Sequence, residues 1–89
     1  MQDLNFSDVK AEFKEPQFLT YHWVLEVPTN LYREVLQDYP GDIYGQEPVQ
    51  EFVTRYLRSR GDNGIVGLVG LDTRDNVVII DAAVRYGKQ

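Results

Sequence analysis

Apolar residues alternate along the segment from residue 18 to residue 27, FLTYHWVLEV. This alternation is typical of a β-strand with one buried face, and the segment is dense in β-branched and aromatic residues. One face carries a fully apolar row, which is Leu19, Tyr21, Trp23, Leu25 and Val27. The other face is mixed and carries Phe18, Thr20, His22, Val24 and Glu26. We therefore expect the first face to contact the core.

A first helix is predicted directly after this strand. Pro28 ends the strand, and Thr29 or Asn30 is a suitable N-cap residue. Apolar residues then fall at helical spacing: Leu31, Tyr32, Val35, Leu36 and Tyr39. Pro40 and Gly41 are expected to stop the helix. Because Tyr39 continues the apolar stripe, its side chain is predicted to be buried.

The second helix has a cleaner pattern. Its apolar stripe is Val49, Phe52, Val53, Tyr56 and Leu57, which follows the i, i+3, i+4, i+7, i+8 spacing. Pro48 falls in the first turn, where a helix accepts proline, and Gly61 falls at the C′ position. Arginines near the C-terminus of this helix are favourable, because that end of the helix dipole is negative.

Two further strands are predicted at the C-terminal end. They are GIVGLVGL and NVVIIDAAVRY, joined by the hairpin loop DTRDN at residues 72–76. The last strand carries a second apolar row, Val78, Ile80, Ala82, Val84 and Tyr86. The N-terminal DVKAEFKE also alternates, which favours an edge strand that turns through EPQ, residues 15–17, onto the strand 18–27. Its apolar residues Phe6, Val9 and Phe13 equally fit a short helix.

The element order β-β-α-α-β-β predicts an α+β two-layer sandwich, in which two helices pack on one face of an antiparallel sheet. The 89 residues suit a single domain, residues 1–89. The opposite sheet face would carry Phe18, Thr20, His22, Val24, Val77, Ile79, Asp81 and Ala83. This face is apolar enough that we expect another surface to cover it.

Composition narrows the classes of function. There is no cysteine, so disulfides and thiolate sites are excluded. The first ten residues do not resemble a secretory signal, and no apolar run approaches the length of a membrane span, so a cytoplasmic protein is expected. A net charge of −5 makes direct nucleic-acid binding unfavourable and is compatible with a basic protein partner.

The sequence contains no motif that specifies a reaction. His22 is the sole histidine, and Asp81 across the sheet is the one acid that would form an acid/base pair with it. Asp38, Asp42 and Glu47 do not follow the calcium-binding pattern of an EF-hand, in which Ile43 stands where glycine is needed. GIVGLVG lacks the turn and helix of a dinucleotide site. We expect no catalytic residues, no metal and no cofactor.

The connector QDYPGDIYGQEP, residues 37–48, is rich in tyrosine and acids. Its tyrosines either fill the open end of the core or contact a partner. Tyr44 does not belong to the apolar stripe of either predicted helix. We therefore expect Tyr44 and Asp42 to form the surface pair of the connector.

Three hypotheses of function follow from these patterns. The first is a non-catalytic protein-interaction module, which is an inhibitor, an adaptor or a small subunit that works as a homodimer. Its candidate partner-binding residues are Phe18, His22, Asp42, Tyr44 and Ile79. The second is a small ligand-binding or enzymatic domain with a site around His22, Asp81 and Tyr44. The third, an acidic mimic of nucleic acid, ranks last because six arginines interrupt the acids.

Overall fold

The computed structural model describes residues 6–17 and 20–86, and the side chains of these residues except 14–17. The elements are β1 Lys10–Gln17, β2 Thr20–Pro28, α1 Thr29–Val35, α2 Gln46–Ser59, β3 Ile65–Arg74 and β4 Val77–Arg85. The four strands form one antiparallel sheet in the order β1-β2-β4-β3, with both helices on one face. The predicted α+β two-layer sandwich is confirmed.

The two apolar rows of β2 and β4 lie side by side under the helices. Leu25 is paired with Ile80 and Val27 with Val78, so their side chains share the face that the helices cover. Of these rows, the residues that are buried are Trp23, Leu25, Val27, Val78, Ile80, Ala82 and Val84. The predicted phase of both strands is therefore confirmed. Tyr86 continues the row beyond β4 but is 38% exposed.

The second helix follows the predicted pattern at both ends. All five residues of its apolar stripe are buried, and Pro48 lies in its first turn. At its C-terminus the Gly61 N–H donates to the Arg58 carbonyl, at 3.0 Å, and the Asp62 N–H donates to the Leu57 carbonyl, at 2.9 Å. This pair of bonds is a Schellman motif, and it requires the positive φ of +78° that Gly61 adopts. No helix in the described residues is long and apolar enough to cross a membrane.

The first helix is shorter than predicted at its C-terminus and begins earlier. Pro28, and not Thr29 or Asn30, occupies the N-cap position, and no side chain caps the helix. The Thr29 N–H instead donates to the Asn76 carbonyl in the β3–β4 turn, at 2.9 Å.

The helix α1 ends at Val35, before the predicted stop at Pro40, and a residue of α2 donates to the carbonyl of its last residue. The Arg55 guanidinium donates to the Val35 carbonyl at 2.6 Å, and the Tyr39 N–H donates to the Leu36 carbonyl, at 2.9 Å. A continuing helix would have joined Tyr39 to Val35. Tyr39 consequently lies outside the helix; it packs against the core as predicted but is only half-buried.

Both hairpin turns differ from the predicted positions. β1 continues through Gln17 with an irregular register after Lys14, so residues 15–17 belong to the strand and not to a turn. Residues 18 and 19 lie outside the described residues. The β3–β4 loop is only Asp75 and Asn76, because the predicted loop residues 72–74 remain in β3. Asp75 adopts a positive φ of +40°, which aspartate tolerates better than most residues.

Each of the two interpretations of the N-terminal segment, short helix and edge strand, is correct for part of it. Phe6–Asp8 form one turn of 3-10 helix, and the edge strand begins two residues later at Lys10. Phe6 packs edge-on against the rings of Phe52 and Tyr56, with centroids 5.9 and 5.8 Å apart. The turn therefore packs against α2, and β1 then pairs with β2.

Replacement of Trp23 tests the assigned faces of β2. Trp23 is 7% exposed, its ring packs against Phe13, and its indole N–H donates to the Tyr86 hydroxyl at 3.2 Å. We expect Trp23→Ala to lower the free energy of unfolding by about 3–5 kcal/mol. Urea unfolding followed by far-ultraviolet circular dichroism measures this loss.

The control is Val24→Ala, one residue along on the opposite face of β2. Val24 is half-exposed, so its truncation is expected to cost about 1 kcal/mol or less. Equal losses for the two variants would show that the faces of β2 are assigned incorrectly.

Candidate protein-interaction surface

The sheet has a second face, called the outer face here, on which no element of the described chain packs. Its central side chains, which point away from the helices, are His22, Val24, Glu26, Val77, Ile79, Asp81, Ala83 and Arg85. Lys10 and Glu12 of β1 and Gly70, Asp72 and Arg74 of β3 extend it to both edges. The predicted outer-face residues His22 and Ile79 thus lie on one surface, whereas Phe18 lies outside the described residues.

Two adjacent rows across the outer face each place an aliphatic residue between two acids. These two rows, called the acid rows, are Glu12–Val24–Asp81 and Glu26–Ile79–Asp72. Residues paired across neighbouring strands have their Cβ atoms about 5 Å apart and on the same face. Val24 and Ile79 are both half-buried. Together they lie among the four carboxylates of the acid rows. Lys10, opposite Glu26, is the single base that extends these rows.

The four carboxylates differ in how far they are neutralised. Asp72 forms an exposed ion pair with Arg74 at 3.1 Å, and the Oδ1 atom of Asp81 lies 3.7 Å from Nδ1 of His22. Glu12 and Glu26 form no ion pair with another described side chain. The two acids without such a partner, Glu12 and Glu26, both lie beside Val24.

A shallow depression of about 240 Å³ lies at this position, lined by Lys10, Ala11, Glu12, Val24, Glu26 and Ile79. Its floor is aliphatic, and its rim carries two acids and one base. The volume is below the roughly 300–1,000 Å³ of typical small-molecule sites. A depression of this size has room for about one side chain.

The hypothetical site around His22, Asp81 and Tyr44 is not assembled. His22 and Asp81 are diagonal neighbours on β2 and β4, but their separation of 3.7 Å is longer than a hydrogen bond and both side chains are well exposed, at 42% and 65%. Tyr44 lies in the helix layer, where its ring stacks on Tyr32 with centroids 5.5 Å apart. The sheet separates Tyr44 from the other two residues.

The loop that contains Asp42 and Tyr44 is held by three contacts. The Tyr44 N–H donates to Oδ1 of Asp42 at 3.0 Å, the Tyr44 ring stacks on Tyr32, and the Tyr32 hydroxyl donates to the Ile43 carbonyl at 2.6 Å. Burial, and then the proximity of Tyr44 and Asp42, raises the pKa of Tyr32, so its hydroxyl remains a donor. Tyr44 is 36% exposed, and the face of its ring that meets Tyr32 contributes to packing.

Tyr39 lies on the same side of the molecule, close to α2. Partial desolvation raises its pKa, and the nearby carboxylates of Glu47 and Glu51, together with a hydrogen bond to Glu47, raise it further. The connector therefore forms a second acidic and aromatic area, separate from the outer face.

Sequence reasoning did not select three of the four acids of the acid rows. Glu26 was assigned to the mixed face of its strand, and Glu12 alternates with apolar residues in β1, so their direction was readable from the pattern. Their alignment with Val24 and Ile79 depends on the strand order and register. Asp72 was missed because it was assigned to the hairpin loop.

A cluster of aromatic residues closes the end of the core that the helices leave open. Its rings are Phe13, Tyr21, Trp23 and Tyr86, each within 5.2 Å of a neighbouring ring. The Tyr86 hydroxyl accepts from Trp23 and donates to Oδ2 of Asp62 at 3.0 Å, and Arg60 lies over the Trp23 ring at 5.2 Å. Partial burial, followed by the Asp62 carboxylate among the raising contributions, shifts the pKa of Tyr86 upward. This network ties β2, β4 and the α2–β3 loop together.

The described residues contain neither a buried charged group nor a cluster of metal ligands. No polar or charged residue among them is buried, and no group of three histidine or acidic side chains lies together as metal ligands would. Comparison with models of protein families, with curated protein sequences and with solved structures found no match to this chain. The function must therefore be inferred from the geometry of the chain itself.

Removal of the Tyr44 ring tests whether the connector is held by stacking. We expect Tyr44→Ala to lower the free energy of unfolding by about 1 kcal/mol, because an aromatic pair contributes roughly 0.5–1.5 kcal/mol beyond its buried area. Tyr44→Phe keeps the ring and should change stability by a few tenths of a kcal/mol. Urea titration measures both, and an equal loss in the two variants would contradict a role for the stacked ring.

Proposed function

We propose that the protein is a non-catalytic protein-interaction module that binds a basic protein partner through its outer face. The observation that carries this proposal is the pair of acid rows, in which Val24 and Ile79 lie among four carboxylates. An inhibitor, an adaptor or a regulatory subunit would each use such a surface.

The two kinds of residue in the acid rows would contribute differently to a complex. Val24 and Ile79 supply apolar area at the centre, where desolvation contributes most of the binding energy. The acids surround this centre and would attract a basic partner, which raises the association rate and disfavours acidic partners. A partner that combines an aliphatic side chain with flanking lysines or arginines matches both features.

The dimensions of the outer face support a reversible complex. Four strands spaced about 4.8 Å apart, with about nine residues each at 3.3 Å, give an area of roughly 500 Å². A stable interface buries about 800 Å² on each partner, so the partner either extends beyond the sheet or binds transiently. A larger partner and a transient complex are both compatible with a regulatory role. The absence of cysteine suits a reducing compartment, and we expect the complex to form in the cytoplasm.

Charge reversal at Glu26 tests the proposal without a disturbance of the core, because Glu26 is exposed. Wild-type protein, Glu26→Lys and Glu34→Lys are used as three baits for affinity capture, and captured proteins are quantified by mass spectrometry. The control residue Glu34 is an exposed acid on α1, so both variants change the net charge equally. A partner retained by wild type and Glu34→Lys, and lost with Glu26→Lys, is then purified.

The dissociation constant of that purified partner decides the outcome. We expect Glu26→Lys to weaken binding at least tenfold, Glu34→Lys to change it less than twofold, and wild-type affinity to fall as salt rises. Equal affinities for the two variants would refute the outer face as the binding site. A bait series that captures no protein selectively would also count against the proposal.

A further inference from the structure

The edge formed by β3 lacks the usual sequence protection against strand pairing. Between Ile65 and Leu71 it carries no charged residue and no proline, and its side chains Ile65 and Leu68 are 55% and 78% exposed. Exposed apolar edge strands readily pair with other chains. The opposite edge strand, β1, carries the charged and proline-containing sequence KAEFKEPQ that protects such edges.

Two glutamines of α2 occupy the hydrogen-bonding groups of this edge. The Gln46 side-chain amide donates from Nε2 to the Val69 carbonyl, at 3.1 Å, and accepts from the Val69 N–H at Oε1, at 2.9 Å. Gln50 donates from Nε2 to the Gly67 carbonyl at 2.6 Å. An amide that both donates to and accepts from one residue replaces the bonds that a neighbouring strand would make. These three bonds are called the glutamine clasp.

The spacing of helix and strand explains why two glutamines fit. Four residues of α-helix rise about 6 Å, and two residues of strand rise about 6.8 Å, so Gln46 and Gln50 match Val69 and Gly67. A register irregularity between Val66 and Val69 further disrupts this part of the edge.

Beyond Val69, the outward groups of the β3 edge have no hydrogen-bond partner among the described residues. The N–H and C=O groups of successive strand residues alternate between the two sides of the strand. Since those of Val69 point to Gln46, those of Leu71 and Thr73 also point away from β4. The direct pairing of Arg74 with Val77 across the two-residue turn agrees with this alternation.

We propose that the β3 edge is a pairing surface for β3 of a second copy of this chain, and that the glutamine clasp holds it closed. A two-fold axis at Leu71 sets Leu71 against itself and Val69 against Thr73, so the outward groups of all three residues would meet. Asp72 then lies opposite Gly70, and no like charges face each other. A pairing centred on Asp72 would oppose two aspartates. The register that uses all three outward residues therefore needs Val69, which the clasp occupies.

The test compares self-association of the wild-type chain with that of the double variant Gln46→Ala, Gln50→Ala. Alanine is the best helix former, so α2 is not weakened by these changes. Analytical ultracentrifugation gives the dimer dissociation constant, which we expect to be at least tenfold lower in the double variant. Gln37→Ala, the same change at an exposed position after α1, is the control and should match wild type.

A third substitution identifies the surface that is used. Thr73→Pro, added to the double variant, removes an outward N–H without the loss of a bond to β4, and should restore the wild-type dissociation constant. Amide hydrogen exchange of Val69 provides a second readout: fast exchange in dilute double variant and slow exchange at high concentration. The proposal is overturned if the double variant associates no more than wild type, or if Thr73→Pro leaves its association unchanged.

Discussion

The pairing of β2 with β4 is the contact on which the other elements of the fold depend. Residues 27 and 78, and 25 and 80, are partners across this pair, and all four side chains are fully buried. The edge strands pair with these central strands, β1 with β2 and β3 with β4, and both helices lie on the apolar face of the central pair. Because alternation sends every second residue to the other side, the burial of one face also determines which residues form the outer face.

The helices cover less than the whole inner face, and other parts of the structure compensate for this. The helix α1 has 7 residues and α2 has 14, and the end of the sheet near the C-terminus of β4 is closed by aromatic rings and Arg60 instead. At the other end Tyr32 and Tyr44 stack under the connector. Aromatic side chains therefore complete the core at two places where the backbone supplies no regular element.

Local patterns predicted the elements well, and contacts between distant residues accounted for the errors. The phases of β2 and β4 and both ends of α2 were readable, since they depend on alternation, helical spacing, Pro48 and Gly61. The early end of α1, where Arg55 of another helix donates to the Val35 carbonyl, was not predicted from the local pattern. The turn at 75–76 was placed too broadly, since Asp72 and Arg74 have turn-like chemistry but pair across the strands.

The candidate surface was only partly predictable for the same reason. The alternation of side chains along each strand predicted that His22 and Ile79 lie on the face opposite the helices, and the structure places them there. The acid rows needed the register of three strand pairs, which no local pattern contains. The hypothetical site that combined Tyr44 with His22 is not formed. The side of the sheet on which a loop lies depends on how the preceding helix packs, and here Tyr44 stacks on Tyr32 in the helix layer.

The hydrogen bond between Trp23 and Tyr86 also has a consequence for the order of folding. These residues are 63 positions apart, so the bond closes a loop that includes both helices and the β3–β4 hairpin. Contacts of such large sequence separation form late, because the entropy of loop closure must be overcome first, whereas hairpins and helical turns form from near neighbours. Trp23 is the only tryptophan in the chain. Its fluorescence is therefore expected to respond to the closure of this loop as well as to the packing of its ring against Phe13 in the β1–β2 hairpin.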